Sequence, residues 1–238
     1  MSPSKFLRIV ALAAAAVAAG PALAQQHDEQ LWLQVNANVP VAPRLRVTIE
    51  QIARFGDRQN GLFQSELGAL FNYKVAPTVE LGLGYRRVGF HNLNRAPDED
   101  RLRAQMVGTF GRIFTRFRVD ARFNTRGDEI GFRVRPLVRY NQPLAPKGLA
   151  LFATHESFLL PNSTSWGQRS GYERMRNILG LAIPLGKQMN ADIGYLNEYR
   201  LGRGGRRAQM GHALSLQLTI NIRPSSPAPI PPNDESTH

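Results

Sequence analysis

The sequence predicts an all-β fold, a transmembrane antiparallel up-and-down β-barrel of roughly ten to twelve strands. Three observations carry this expectation. Apolar and polar residues alternate with period two along segment after segment. Aromatic residues on the apolar parity sit at segment ends (Tyr73, Tyr85, Phe110, Phe117, Phe132, Tyr140, Tyr195), as an interfacial girdle requires. The connections alternate too, short at 40–43, 75–77, around 115 and at 187–189, long at 89–100, 160–172 and 201–208.

Ahead of the first strand, Lys5 and Arg8 form a charged n-region, Ile9 to Ala19 a short apolar h-region, and Ala22-Leu23-Ala24 an A-x-A cleavage site. Residues 1–24 are expected to be a secretory signal peptide cleaved after Ala24, because the apolar run is too short for a spanning helix. Residues 25–222 are expected to form the barrel, and the proline-rich 223–238 a disordered tail. The chain has no cysteine, so an exported product is held by packing and hydrogen bonds alone.

The alternation runs in order along the mature chain. Leu31, Leu33, Val35, Ala37 and Val39 alternate with Trp32, Gln34, Asn36 and Asn38; Leu45, Val47, Ile49 and Ala53 with Arg44, Arg46, Thr48, Glu50 and Arg54. Phe63, Leu67, Ala69, Phe71 and Tyr73 alternate with Gln64, Glu66, Gly68, Asn72 and Lys74; Val79, Leu81, Leu83 and Tyr85 with Glu80, Gly82, Gly84 and Arg86. Leu102, Ala104, Met106 and Phe110 face away from Arg101, Arg103, Gln105 and Thr109. The segment "RFRVDARFNTR" then sets Arg116, Arg118, Asp120 and Arg122 against Phe117, Val119, Ala121 and Phe123, and Phe132, Val134, Val138 and Tyr140 oppose Arg133, Arg135 and Arg139. Leu149, Leu151 and Ala153 oppose Thr154 and Glu156; Met175, Leu179, Leu181 and Ile183 oppose Arg174, Arg176 and Gly180; Ala191, Ile193 and Tyr195 oppose Asp192 and Gly194. Leu214 to Ile222 closes the series against Ala213, Ser215, Gln217, Thr219 and Asn221. Pro136 lies inside its segment and, lacking an N–H, predicts a bulge there.

About eleven segments of roughly 9 to 13 residues are long enough to cross a bilayer as tilted strands. A soluble sandwich or lipocalin-like barrel would instead turn the apolar rows inward. The girdle, the loop asymmetry and the strand length favour lipid outside and charge inside. Bacterial single-chain barrels have an even strand number. An eleventh segment therefore leaves 31–39 either inside the lumen or the count off by one.

The formal net charge is +12, and apart from Lys5, Lys74, Lys147 and Lys187 every one of the 30 basic residues is arginine. Export argues against nucleic acid as the partner. A planar, weakly hydrated guanidinium tolerates enclosure and pairs bidentately with carboxylates, which fits a lumenal role. The expected lumen network comprises Arg44, Arg46, Arg54, Arg86, Arg101, Arg103, Arg116, Arg118, Arg122, Arg133, Arg135, Arg139, Arg174 and Arg176 with Glu50, Glu66, Glu80, Asp120 and Glu156. Gly68, Gly82, Gly84, Gly180 and Gly194 are expected to leave room for arginines reaching from the opposite wall.

The early Trp32, the E-x-x-x-R of Glu50 and Arg54, Gly84-Tyr85, "RLRAQM" with "RFRVDARF", "RVRPLVRYNQPL", "HESF", "RNILGL", "IGY" and "GHALSLQLTI" stand in an order and spacing that resembles the bacterial outer-membrane barrel family known as domain of unknown function 2490. The likeness runs from about Trp32 to Ile222. It implies a small Gram-negative outer-membrane barrel and no established activity.

Two readings of function remain, a sealed or barely open structural or interaction barrel and a narrow porin-like pore for small anionic solutes. A third, weaker one is catalytic. His155 and Ser157 are two apart in a strand and share a face, resembling the His-x-Ser arrangement of outer-membrane lipid A deacylases, where histidine activates a serine facing lipid. Both align with Leu151 and Ala153 on the lipid side, but Glu156 points the other way and makes a poor third member. A histidine and serine in the polar headgroup zone is the simpler account. Arg200, Arg203, Arg206 and Arg207 on the last long loop are candidates to clamp lipopolysaccharide phosphates, the bland alternative being a flexible basic loop. "APDED" reads as a solvated acidic loop rather than a cation site. His27, His91, His212 and His238 lack metal-ligand spacing, and "GLGYRRVG" lacks the glycine spacing of a dinucleotide loop, so no metal or cofactor is expected.

Overall fold

A computed structural model describes residues 26–145, 148–202 and 207–222. The expected signal peptide and tail, with Arg203 and Arg206, lie outside the described residues. The strands are β1 (Gln26–Ala42), β2 (Leu45–Gly56), β3 (Gly61–Ala76), β4 (Val79–Phe90), β5 (Glu99–Phe110), β6 (Ile113–Asn124), β7 (Gly127–Pro143), β8 (Ala150–Leu160), β9 (Gly171–Pro184), β10 (Met189–Arg200) and β11 (Gln209–Asn221). A single 3-10 turn at Asp57–Gln59 is the other regular element among the described residues. Each strand pairs antiparallel with the next, and the sheet closes on itself.

Closure answers the parity problem. Ten antiparallel steps leave the first and last strands running the same way, so β1 and β11 meet in parallel, from Gln26 opposite Gln209 to Asn38 opposite Asn221. Segment 31–39 is thus a wall strand, not a lumenal plug, and the barrel is antiparallel everywhere except at this seam. Parallel pairs are slightly weaker per residue. At its turn end the seam is tied by Asn38 Nδ2 donating to Asn221 Oδ1 (2.8 Å) and Thr48 Oγ1 donating to Asn38 Oδ1 (2.7 Å).

One end of the barrel carries the connections 43–44, 77–78, 111–112, 144–149 and 185–188; the other carries 57–60, 91–98, 125–126, 161–170 and 201–208. The loop end is therefore mixed, because 57–60 and 125–126 are tight. Asn60 enables the first by adopting φ 54° ahead of Gly61 at φ 105°. All seven sequence-predicted girdle aromatics point outward and are exposed, among the outer leucines such as Leu67, Leu83 and Leu214. Pro136 makes no bulge. The β7–β8 ladder passes from Val134↔Leu159 to Leu137↔Glu156 without change of register, leaving it open where Pro136 lies opposite Ser157.

The glycines serve the wall rather than the far side of the lumen. A Cβ on Gly84 would lie 2.2 Å from the Ala69 carbonyl oxygen of the next strand. At Gly180 it would meet the Ile193 carbonyl at 2.4 Å and the Phe152 ring at 2.9 Å. A narrow barrel coils its strands tightly, so the space a glycine frees is filled by backbone and side chains of the adjacent strands and not by an arginine from opposite.

Candidate functional site

Inward-facing positions build two ion-paired clusters of charge, flanked by two separate pairs. Arg86 donates to Glu50 (2.7 Å) and Glu66 (2.5 Å), and Arg103 to Glu50 (2.6 Å). Glu66 also takes Arg54 at 2.8 Å. Glu99 accepts from Arg101 and, through Nε and Nη2 at 2.8 and 2.6 Å, from Arg122. On the other side Asp120 accepts two bonds from Arg133 (3.0 and 2.7 Å). Glu156 gathers Arg116 (2.6 Å), Arg135 (2.9 Å) and Arg176 (3.4 Å), and Glu198 gathers Arg176 (2.6 Å) and Arg174 (3.1 Å). Arg46–Glu80 (2.6 Å) and Arg139–Asp192 continue the pattern toward the turn end. Such sharing offsets the desolvation that isolated charges would suffer.

Aromatic rings supply a second layer. Arg54 and Arg176 stack on Trp32 with Cζ 4.1 and 4.4 Å from the ring centroid. Phe158 carries Arg135, Arg176, Arg174 and Arg133 at 4.7, 5.0, 5.1 and 5.7 Å, and Phe152 carries Arg139 at 3.8 Å. Delocalised cations over ring faces give up little of the water an ammonium would hold. Trp32 also packs with Leu196, Ala213 and Ile178, so the mid-height of the lumen has an apolar patch. Cavities of about 400 Å³ at the loop end and about 500 Å³ at the turn end are separated by one of about 150 Å³ around Trp32, Glu156 and Arg176.

The β8–β9 connection folds over the loop end. Gln168 is buried, donating to the Phe132 (3.1 Å) and Asn162 (3.0 Å) carbonyls while accepting from Arg122 (2.7 Å). Trp166 donates to the Glu129 carbonyl at 2.7 Å, and Gly131 leaves the space this pair occupies.

Most of the expected network residues meet in the lumen, with differences of detail. Arg44 is exposed in the β1–β2 turn, since β2 begins at Leu45. Arg118 is buried against Gln105 Oε1 (3.0 and 2.5 Å) rather than a carboxylate. Arg200 ends β10, 3.6 Å from Glu198, instead of lying on the outer loop, while Arg207 is exposed. The acidic run is split by the pleat: Asp98 and Asp100 hold Arg87 outside (3.1 and 2.8 Å), and Glu99 turns inward. Sequence reading missed Glu99, Glu173, Asp192 and Glu198 as acceptors and Phe152 and Phe158 as stacking partners. Inward parity was the available signal for all of them but Glu173, which shares the outward parity of Met175 and is turned by the register shift at Phe158 and Leu159. No cluster able to hold a metal ion exists among the described residues.

On the outer face, His155 Nδ1–H donates to Asn177 Oδ1 at 2.7 Å, and Nε2 lies 3.0 Å from Ser157 Oγ. Tyr172 O–H reaches the same Oγ at 2.9 Å. Asn177 is the residue directly opposite His155 on β9.

Comparison with known proteins places this barrel in a lineage. The model for the family described as protein of unknown function (DUF2490) matches residues 29–209. The chain belongs to the DUF2490 family. An uncharacterized protein of Methylorubrum extorquens is 30% identical over 203 residues, covering 82% of this chain and 88% of the relative. The stretch of this DUF2490 barrel that the family model covers takes in the whole lumen array and both residues of the His155–Ser157 pair.

Proposed function

We propose that this protein is a bacterial outer-membrane barrel whose lumen is sealed or barely open, with a structural or interaction role rather than bulk transport. The observation that carries this reading is the mid-height constriction, where Arg54 and Arg176 stack on Trp32 and Glu156 collects three guanidiniums. A lipid environment is supported by the broad outer belt of exposed leucines and aromatics, far more apolar surface than a soluble monomer presents. The partners that follow are outer-membrane lipid and lipopolysaccharide, with the loop end facing out of the cell.

A narrow anion-selective pore is the second reading. It is favoured by the surplus of arginine over carboxylate lining both larger cavities and by Arg118, whose bonded partner is a neutral amide. Single-channel recording of the refolded, heat-modifiable protein separates the two. Silence is the expected result. Stepwise anion-selective current that falls in Arg116→Gln, Arg118→Gln and Arg122→Gln would establish the pore instead.

A further inference from the structure

On the outside of the barrel a polar row interrupts the apolar belt. His155, Asn177, Asn197 and His212 stand side by side on β8 to β11. The rows beneath, Ala153–Leu179–Tyr195–Leu214 and Leu151–Leu181–Ile193–Leu216, are apolar but for one tyrosine. At roughly 3.3 Å per residue, the stretch from Asn177 down to Ile183 gives about 20 Å of tilted strand in the bilayer. The row, with Ser157, Met175, Tyr199 and Met210 above it, therefore lies in the loop-end part of the apolar band, on the side where lipid acyl chains are joined to their headgroups by esters.

The bonding within this row is directional. A carbonyl oxygen only accepts, so Asn177 Oδ1 fixes the proton on His155 Nδ1 and leaves Nε2 as a base facing Ser157 Oγ at 3.0 Å. With Nε2 accepting the Ser157 proton, the Tyr172 hydroxyl 2.9 Å away is left to donate to the same Oγ. An amide in the third position suits this place, because a carboxylate facing lipid would have to be desolvated without a cationic partner. Ser157 lies opposite Pro136, where the ladder is open, and His155 is exposed.

We propose that Ser157 and His155, oriented by Asn177, form a lipid-facing hydrolytic centre that cleaves acyl ester bonds of outer-leaflet lipids. The proposal rests on the reading that the outer face lies in an outer-membrane bilayer. Ser157 Oγ attacks the ester carbonyl carbon while its proton passes to His155 Nε2. The tetrahedral adduct collapses, the C–O bond to the lipid breaks, and the departing alkoxide takes the proton from Nε2. Water from the headgroup layer then attacks the acyl-serine, His155 accepts its proton and returns it to Ser157 Oγ, and a free fatty acid leaves. Ester and water are consumed, acid and alcohol formed. The acyl ester is shared by glycerophospholipids and by lipid A.

The test uses the full mature chain refolded in detergent, its folding verified by heat-modifiable migration. A fluorophosphonate probe, a soluble short-chain nitrophenyl ester, phosphatidylethanolamine and purified lipopolysaccharide are each supplied, and adducts and released fatty acids are read by mass spectrometry. The expected result is an adduct on Ser157 and fatty acid from at least one lipid, the responding lipid identifying the source. Ser157→Ala and His155→Asn should lower the rate by about 10³-fold. Asn177→Ala should lower kcat about 10-fold or more with KM unchanged, a split that a merely structural role would not give. Ser65→Ala, which removes a second serine–histidine contact (2.7 Å to His91) on another strand, should change nothing. A folded sample with no Ser157 adduct, or with no fatty acid from either lipid, overturns the proposal. Vesicle flotation reports membrane insertion separately, and the probe and soluble ester interrogate the triad without it.

Discussion

The two faces of β8 carry similar residue types to opposite ends. Inward, Glu156 and Phe158 are buried and surrounded by arginines from β6, β7 and β9. Outward, one residue away on either side, His155 and Ser157 bond only to neutral partners, Asn177 and Tyr172. Inside, polar groups satisfy one another and the charge is spent on holding walls together. Outside, a short neutral chain of donors and acceptors stands within an apolar belt, its histidine exposed and its serine half-buried. Polarity on a barrel strand thus has no single meaning until its parity and its cross-strand neighbours are known.

Substitutions that disturb one face and spare the other sharpen this contrast. The largest loss of stability is expected for Glu156→Gln, about 4 kcal/mol, because Arg116, Arg135 and Arg176 lose the carboxylate they share. Urea unfolding in lipid reads it, and Asp120→Asn should behave alike through Arg133 and Arg135. Phe158→Ala, which removes the ring beneath four guanidiniums, should cost about 3 kcal/mol in the same assay. On the outer face Leu216→Arg, in an apolar row, should cost about 2 kcal/mol in a bilayer and much less in a short-chain detergent. His155→Asn and Ser157→Ala should fall within about 0.5 kcal/mol of the parent, since neither buries charge nor fills the lumen. A loss comparable to that of Glu156→Gln would mean that the outer cluster is a structural clasp, and the contrast between the faces would fail.

The alternation of Leu214, Leu216, Leu218 and Ile220 with Ser215, Gln217 and Thr219 needed only the pleat to be read, and the same holds for the arginine row of β6. The alternating segments and the sidedness of nearly every network arginine were visible in this way, while the place of segment 31–39 in the wall was not. Arg44 misled because period two says nothing of where a strand starts. Glu99 misled because it stands between Asp98 and Asp100 in a run that looks like loop until the strand is known to begin there. Asn177 had no local mark at all. It lies 22 residues from His155, and only the β8–β9 register brings them together.

The sequence by itself determined the strand class, the alternating segments, the two faces and the identity of DUF2490's arginine-rich lumen, because side-chain direction in a strand is a local property with a period of two. Tertiary structure alone decided that β1 closes in parallel on β11, that Glu198 and Phe158 complete the mid-height array, and that Asn177 stands beside His155. Each of those is a pairing between distant segments, fixed by register and barrel closure, and no local pattern encodes which residue a neighbouring strand will bring alongside.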